Sequence, residues 1–139
     1  MALSADGQLL ASGSFDGKIR LWSVQRKELV AVLDCEASPV WSLRLSEDGT
    51  VLASGSEDAR VRLWSPHSGQ LLATLQGHTG SVRGVALSAN RRLLATGSWD
   101  GTVRLWNTAD GQPLAILEGP HWSGAQRCFE RKRGTAGEL

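Results

Sequence analysis

Thirteen letters recur almost unchanged three times: LASGSFDGKIRLW over residues 10–22, LASGSEDARVRLW over 52–64 and LATGSWDGTVRLW over 94–106. Trp22, Trp64 and Trp106 stand 42 residues apart. Gly13, Gly55 and Gly97 keep that step, as do Asp16, Asp58 and Asp100. A fixed period of this size marks a repeat architecture. One unit cannot bury its apolar face alone, so it must stack on a neighbour.

Each period divides into four short runs, in the second period VWSLRLS, VLASGSE, RVRLW and QLLATLQ. Their lengths suit strands, and Val, Leu and Ile recur between turn residues. Asp6-Gly7 and Asp48-Gly49 separate the first and second runs. Asp16-Gly17 and Asp100-Gly101 separate the second and third, and Ser68-Gly69 and Asp110-Gly111 the third and fourth. Asp-Gly between apolar runs is a hairpin signal, because Gly adopts positive φ without steric cost. Each unit therefore reads as an antiparallel four-stranded meander. The second run is almost wholly small or apolar, as for a strand covered on both faces. Radial stacking of such sheets gives a propeller.

The sequence excludes several classes. The net charge is +1, too small for strong steering toward nucleic acid. Cys35 and Cys128 lie outside the repeat and form neither a disulfide framework nor a metal-ligand pair. His67, His78 and His121 are scattered, so no metal site is expected. No Gly-rich phosphate loop precedes a helix, and no cofactor is expected. The N-terminus MALSADGQ lacks a signal-peptide pattern, and no apolar stretch reaches a membrane-spanning length. The expected setting is intracellular and cytoplasmic.

On Gly77-His78, the three GSxD hairpins and the constant step, the chain resembles WD40 repeats. The family usually ends its third strand Trp-Asp; here the pairs are Trp22-Ser23, Trp64-Ser65 and Trp106-Asn107. The resemblance implies an all-β fold of three four-stranded antiparallel blades, an incomplete β-propeller over residues 1–119. The repeats would span about 1–34, 35–76 and 77–119. It also implies a hydrogen-bonded set in each blade. The third repeat supplies all of it: His78, Thr96, Asp100 and Trp106. The second offers Ser54, Asp58 and Trp64, with Glu36 where His would stand. The first offers Ser12, Asp16 and Trp22. A carboxylate cannot donate to Asp58 unless protonated, so the second blade is expected to be less rigid.

Asp100, His78 and Thr96 together suggest a catalytic triad, but a network tying the turn to the strands explains them better. No GxSxG elbow accompanies them, and no catalytic residue is assigned. Arg20, Arg62 and Arg104 recur in register and read as snorkelling strand residues stacked along the Trp two places on. The non-repeating aromatics carry more information. Phe15 and Trp99 precede the turn Asp, where the second repeat has Glu57. The resemblance places these on the rim of one face, near Pro39 and Trp41 in the second repeat and Ser81 and Arg83 in the third. Such a composition fits a binding hot spot; it equally fits side chains packing on neighbouring loops.

The pattern breaks at both ends. Met1 aligns with Leu43 and Val85, in mid-strand, and residues 120–139 lose the repeat and carry Arg127, Arg131, Lys132 and Arg133. The tail reads as irregular and disordered. Three blades do not close a ring, so further blades come from another chain or the sequence is a piece of a longer propeller, the latter being favoured. The expected function is a non-catalytic protein–protein interaction module or scaffold. Alternatives are a regulatory or sensor segment of a larger multidomain signalling protein, and a nucleic-acid-associated propeller. The expected partners are proteins, with self-association through open blade faces, and neither membrane nor nucleic acid.

Overall fold

The computed structural model describes residues 1–118. The expected tail, 120–139, lies outside them. Twelve strands form three antiparallel four-stranded sheets, each in simple sequence order. The first contains β1 (Ala2–Leu3), β2 (Leu9–Gly13), β3 (Lys18–Ser23) and β4 (Glu28–Asp34). The second contains β5 (Val40–Leu45), β6 (Leu52–Ser56), β7 (Val61–Ser65) and β8 (Gln70–Leu75). The third contains β9 (Val82–Leu87), β10 (Leu93–Ser98), β11 (Thr102–Asn107) and β12 (Pro113–Glu118). No described residue is helical.

The sheets stack through unlike faces. Ala11, Ile19, Leu21 and Leu33 of the first sheet pack against Leu43, Leu45, Leu52 and Trp64 of the second. Ala53, Val61, Leu63 and Leu75 of the second pack in the same way against Val82, Val85, Leu94 and Trp106 of the third. Each blade thus offers an aliphatic face to the Trp-bearing face of the next. The middle blade is covered on both sides, and every residue of β6 is buried. The repeated Gly keeps the sheets close. A Cβ on Gly13 would stand 2.7 Å from Val40 Cγ1, and one on Gly55 would stand 2.6 Å from Val82 Cγ1.

The outer strands carry a second repeated feature. Pairing slips by one residue beside Trp22, Trp64 and Trp106. The extra residues are Val30, Leu72 and Leu114, all exposed. A bulge adds local twist and spoils a free edge as a template for further pairing.

Nine turn positions in register have positive φ. Six are Gly7, Gly17, Gly49, Gly69, Gly101 and Gly111; the other three are Lys27, Ala59 and Arg91, at φ 56, 70 and 63. A side chain in the left-handed region costs about 1–2 kcal/mol, whereas extra freedom of Gly in the unfolded chain costs about 0.4–1 kcal/mol. The first effect is the larger. Ala59→Gly and Lys27→Gly should each stabilise the chain by roughly 0.5–1 kcal/mol, read as a higher urea midpoint at unchanged slope. A lower midpoint for both would show that these turns relax to another conformation.

Candidate functional site

The loops at one end of the sheets carry two arrangements: a polar network in each blade, buried in the third and more open in the first, and an exposed aromatic row across all three. In the third blade the network is complete. Trp106 Nε1 donates to Thr96 Oγ1 at 2.8 Å, and Thr96 Oγ1 lies 2.8 Å from His78 Nε2. His78 Nδ1 lies 2.9 Å from Asp100 Oδ2. Indole N–H only donates, so the Thr96 hydroxyl proton goes on to Nε2. This assigns the imidazole proton to Nδ1, facing Asp100. Asp100 also accepts from the Thr79 and Thr102 amides and the Thr102 hydroxyl. Burial works against the Asp100 charge, but the bonds from Thr102, Thr79 and His78 outweigh it and hold its carboxyl well below the usual range. Burial pushes His78 below its ordinary 6.5, against the pull of Asp100, so the ring is neutral. The hydroxyl–imidazole–carboxylate order is that of a triad, yet Thr96 is fully buried and Trp106 caps its oxygen.

The second blade solves the same problem differently, and two expectations need correction. Glu36 does not approach Asp58 as His78 approaches Asp100. Glu36 and Ala37 both take positive φ, at 58 and 63, and the Glu36 carboxylate swings out to Arg60 at 3.3 Å and Arg62 at 3.7 Å. The partner of Asp58 is Arg62, with Nη2 2.7 Å from Oδ2. Arg62 is not a snorkelling residue: it is 2% exposed, and its other arm donates to Ser56 Oγ at 2.9 Å. Asp58 also accepts from Ser56 Oγ and the Arg60 amide, while its own amide donates to Ser38 Oγ. The missing His therefore leaves no unheld turn in this blade. Trp64 Nε1 still donates to Ser54 Oγ at 3.0 Å. The first blade uses the same device: Arg20 reaches Asp16 at 2.9 Å, and Trp22 Nε1 donates to Ser12 Oγ at 3.1 Å. Arg104, the counterpart of Arg62, finds Asp100 already taken by His78, and its buried Nε has no hydrogen-bond partner.

The aromatic row is built by bulges. Pairing between β5 and β6 skips Trp41, and pairing between β9 and β10 skips Arg83. A bulged residue leaves the in–out alternation of its strand. Here both side chains turn onto the loop end, where Phe15 and Trp99 stand beside their turns. Phe15 meets Trp41 edge to face, with centroids 5.0 Å apart. The Arg83 guanidinium lies between two indoles, 3.9 Å from the Trp41 centroid and 3.8 Å from that of Trp99. Glu57 Oε1 accepts from Trp41 Nε1 at 2.7 Å and stands 3.6 Å from Arg83. Ser81 Oγ accepts from Arg83 Nε at 2.9 Å. Phe15, Trp41, Arg83, Trp99, Glu57 and Ser81 thus form one connected strip. Pro39 joins it through its carbonyl, which accepts from the Glu57 amide at 2.9 Å. The two ends of the strip are open, Phe15 at 73% exposure and Trp99 at 57%.

Elsewhere, a shallow cleft of about 220 Å³ opens between the first two blades, lined in part by Asp6, Glu47, Asp48 and His67. Asp6 and Asp48 are engaged within their own turns. Among the described residues, no group of His, Cys, Asp and Glu could hold a metal ion.

A profile for the WD40 family, described as WD domain, G-beta repeat, matches residues 1–23, 27–65 and 69–107. The chain belongs to the WD40 family. Two solved WD40 structures, titled "Structure of U3-55K" and "Crystal structure of RRP9 WD40 repeats", each superpose with a TM-score of 0.82 at 29% identity. Each match covers 86% of this chain and 38% of the other, so the chain spans well under half the length of these relatives. Comparison with curated protein sequences finds no significant relative. WD40 propellers generally mediate protein interactions and are generally not enzymes.

The WD40 network predicts a pH dependence. Unfolded His78 takes up a proton below its ordinary value, whereas the folded site resists protonation. The stabilisation is therefore whole above about pH 6.5 and is lost as pH falls. The urea midpoint should drop between pH 7.5 and 5.5, and His78→Gln should shrink that drop. An equal drop in the variant would place the titration elsewhere.

Proposed function

We propose that this chain is a non-catalytic protein-interaction module and that the Phe15–Trp41–Arg83–Trp99 strip is its contact surface. The observation that carries this reading is the strip itself. Its aromatic and Arg side chains are held rigid by stacking, so little conformational freedom remains to be lost on contact. Trp and Arg are the residues that most often anchor a protein interface. Each guanidinium–indole contact is worth roughly 0.5–2 kcal/mol, enough to keep Arg83 in place between Trp41 and Trp99. Glu57 beside Arg83 balances its charge, which argues against a phosphate-binding role. The catalytic alternative finds no support at His78, because Thr96 would be both nucleophile and fully buried.

The partner is a protein, and the setting is intracellular. Trp99→Ala removes one guanidinium–indole contact, so the unfolding free energy from urea titration should fall by no more than about 2 kcal/mol with the chain still folded. Partner capture should fall by at least tenfold, about 1.4 kcal/mol. A large fall in midpoint would make Trp99 a structural residue; unchanged capture would move the contact surface off the strip.

A further inference from the structure

The three turn carboxylates use their two oxygens alike. Oδ1 accepts from the amide two residues on, that of Lys18, Arg60 or Thr102. Oδ2 takes the main side-chain donor of its blade: Arg20 at 2.9 Å on Asp16, Arg62 at 2.7 Å on Asp58, and His78 at 2.9 Å on Asp100. Arg104 follows Asp100 at the spacing by which Arg20 follows Asp16 and Arg62 follows Asp58. It has the register to reach Oδ2 and finds the place filled. Among the described residues, its Nε is the one buried side-chain nitrogen or oxygen without a hydrogen-bond partner. The guanidinium lies under the loop that brings His78 in, where a Cβ on Gly77 would stand 2.9 Å from Arg104 Nη1. Burial above all, with the Arg104 charge added, keeps a second proton off His78.

The same Oδ2 ties down the loop that carries His78, because the Thr79 amide donates to it at 3.0 Å. The second blade shows the other arrangement. With Arg62 on Oδ2 of Asp58, the counterparts of His78 and Thr79, Glu36 and Ala37, take positive φ, and the Glu36 carboxylate points out to Arg60 and Arg62. We propose that His78 and Arg104 are alternative holders of Asp100. In the resting fold His78 holds the carboxylate and latches its loop to the turn. When the ring leaves, Arg104 moves onto Oδ2, so the turn stays held while the loop is released. The ring spans the space between Asp100 and Thr96, at 2.9 and 2.8 Å, and its departure opens that space to the adjacent guanidinium. A guanidinium on a carboxylate makes a charge-assisted bond, and its fork of donors suits the site that two neutral donors share in the resting fold. The third blade thus carries both solutions to one constraint, with one of them in reserve.

The test is a double-mutant cycle of His78→Ala and Arg104→Leu in the full chain, read by urea titration and by amide hydrogen exchange. Arg104→Leu alone should leave the unfolding equilibrium constant within about threefold of the parent, because Asp100 keeps His78. In the His78→Ala background the same change should raise that constant by about five- to thirtyfold, because Arg104 then holds Asp100. In His78→Ala the Thr79 amide should exchange about tenfold faster, having lost its place on Oδ2. The Thr102 amide, which donates to Oδ1, should keep its protection until Arg104 is changed as well. An equal effect of Arg104→Leu in both backgrounds would overturn the proposal and leave Arg104 a packing residue. Equal loss of protection at Thr79 and Thr102 in His78→Ala would also overturn it, because the turn would then open with the loop. Should His78→Ala not fold, His78→Ser carries the same cycle; failure of both to fold would overturn the proposal, since Arg104 would not have taken the carboxylate.

Discussion

Each blade of this chain is half of a core and the whole of none, and the middle blade is half of two. Nothing within a single four-stranded sheet can bury its apolar residues, because the sheet is one layer thick. Stability comes from the contact of an aliphatic face with a Trp face, and the chain makes that contact twice. Most other features serve it. Gly13 and Gly55 let the sheets approach. The Trp64 and Trp106 indoles must enter the contact with a polar N–H, so each needs an acceptor on β6 or β10, supplied by Ser54 and Thr96; Trp22 finds the same acceptor in Ser12 on β2. An unpaired N–H there would cost about 1–3 kcal/mol, comparable with the gain from burying the ring edge.

The turn Asp is the second constraint, and the blades meet it in two ways. A neutral imidazole arriving from the preceding loop serves Asp100; a guanidinium arriving along the strand serves Asp58 and Asp16. The two are exclusive, because each needs the same carboxylate. Arg104 shows the consequence: it keeps the register position of Arg62 but not its partner. Gly77 lies next to it, where a Cβ would come within 2.9 Å of Arg104 Nη1, so the loop leading to His78 is shaped around this side chain.

Much of the fold was legible because its signals are local and threefold. The hairpin turns, the strand lengths and the meander order all follow from the 42-residue step and the Asp-Gly pairs. The strip residues were also nameable, since Phe15, Trp41, Arg83 and Trp99 depart from the repeat. Their stacking was not legible. It depends on two bulges that no composition rule marks, and on which side of Arg83 each indole falls. The role of Arg62 was misread for a similar reason. Period-two alternation puts it on a face, but its pairing with Asp58 is settled by the geometry of the turn. Lys27, Ala59 and Arg91 are not legible as left-handed residues from their own letters, since none is Gly; only the 42-residue step, which aligns them with glycines of the other repeats, marks them.

The bulges at Trp41 and Arg83 have a further consequence. In a regular strand, changing the chemistry of one face by insertion throws every later side chain onto the opposite face. A bulge absorbs that phase error within one residue. Strands β5 and β9 can therefore keep Val40 and Leu43, or Val82 and Val85, locked in the core while the bulged residue, Trp41 or Arg83, faces the loop end. Core packing and the loop-end strip are thus written on the same strand but in separate registers.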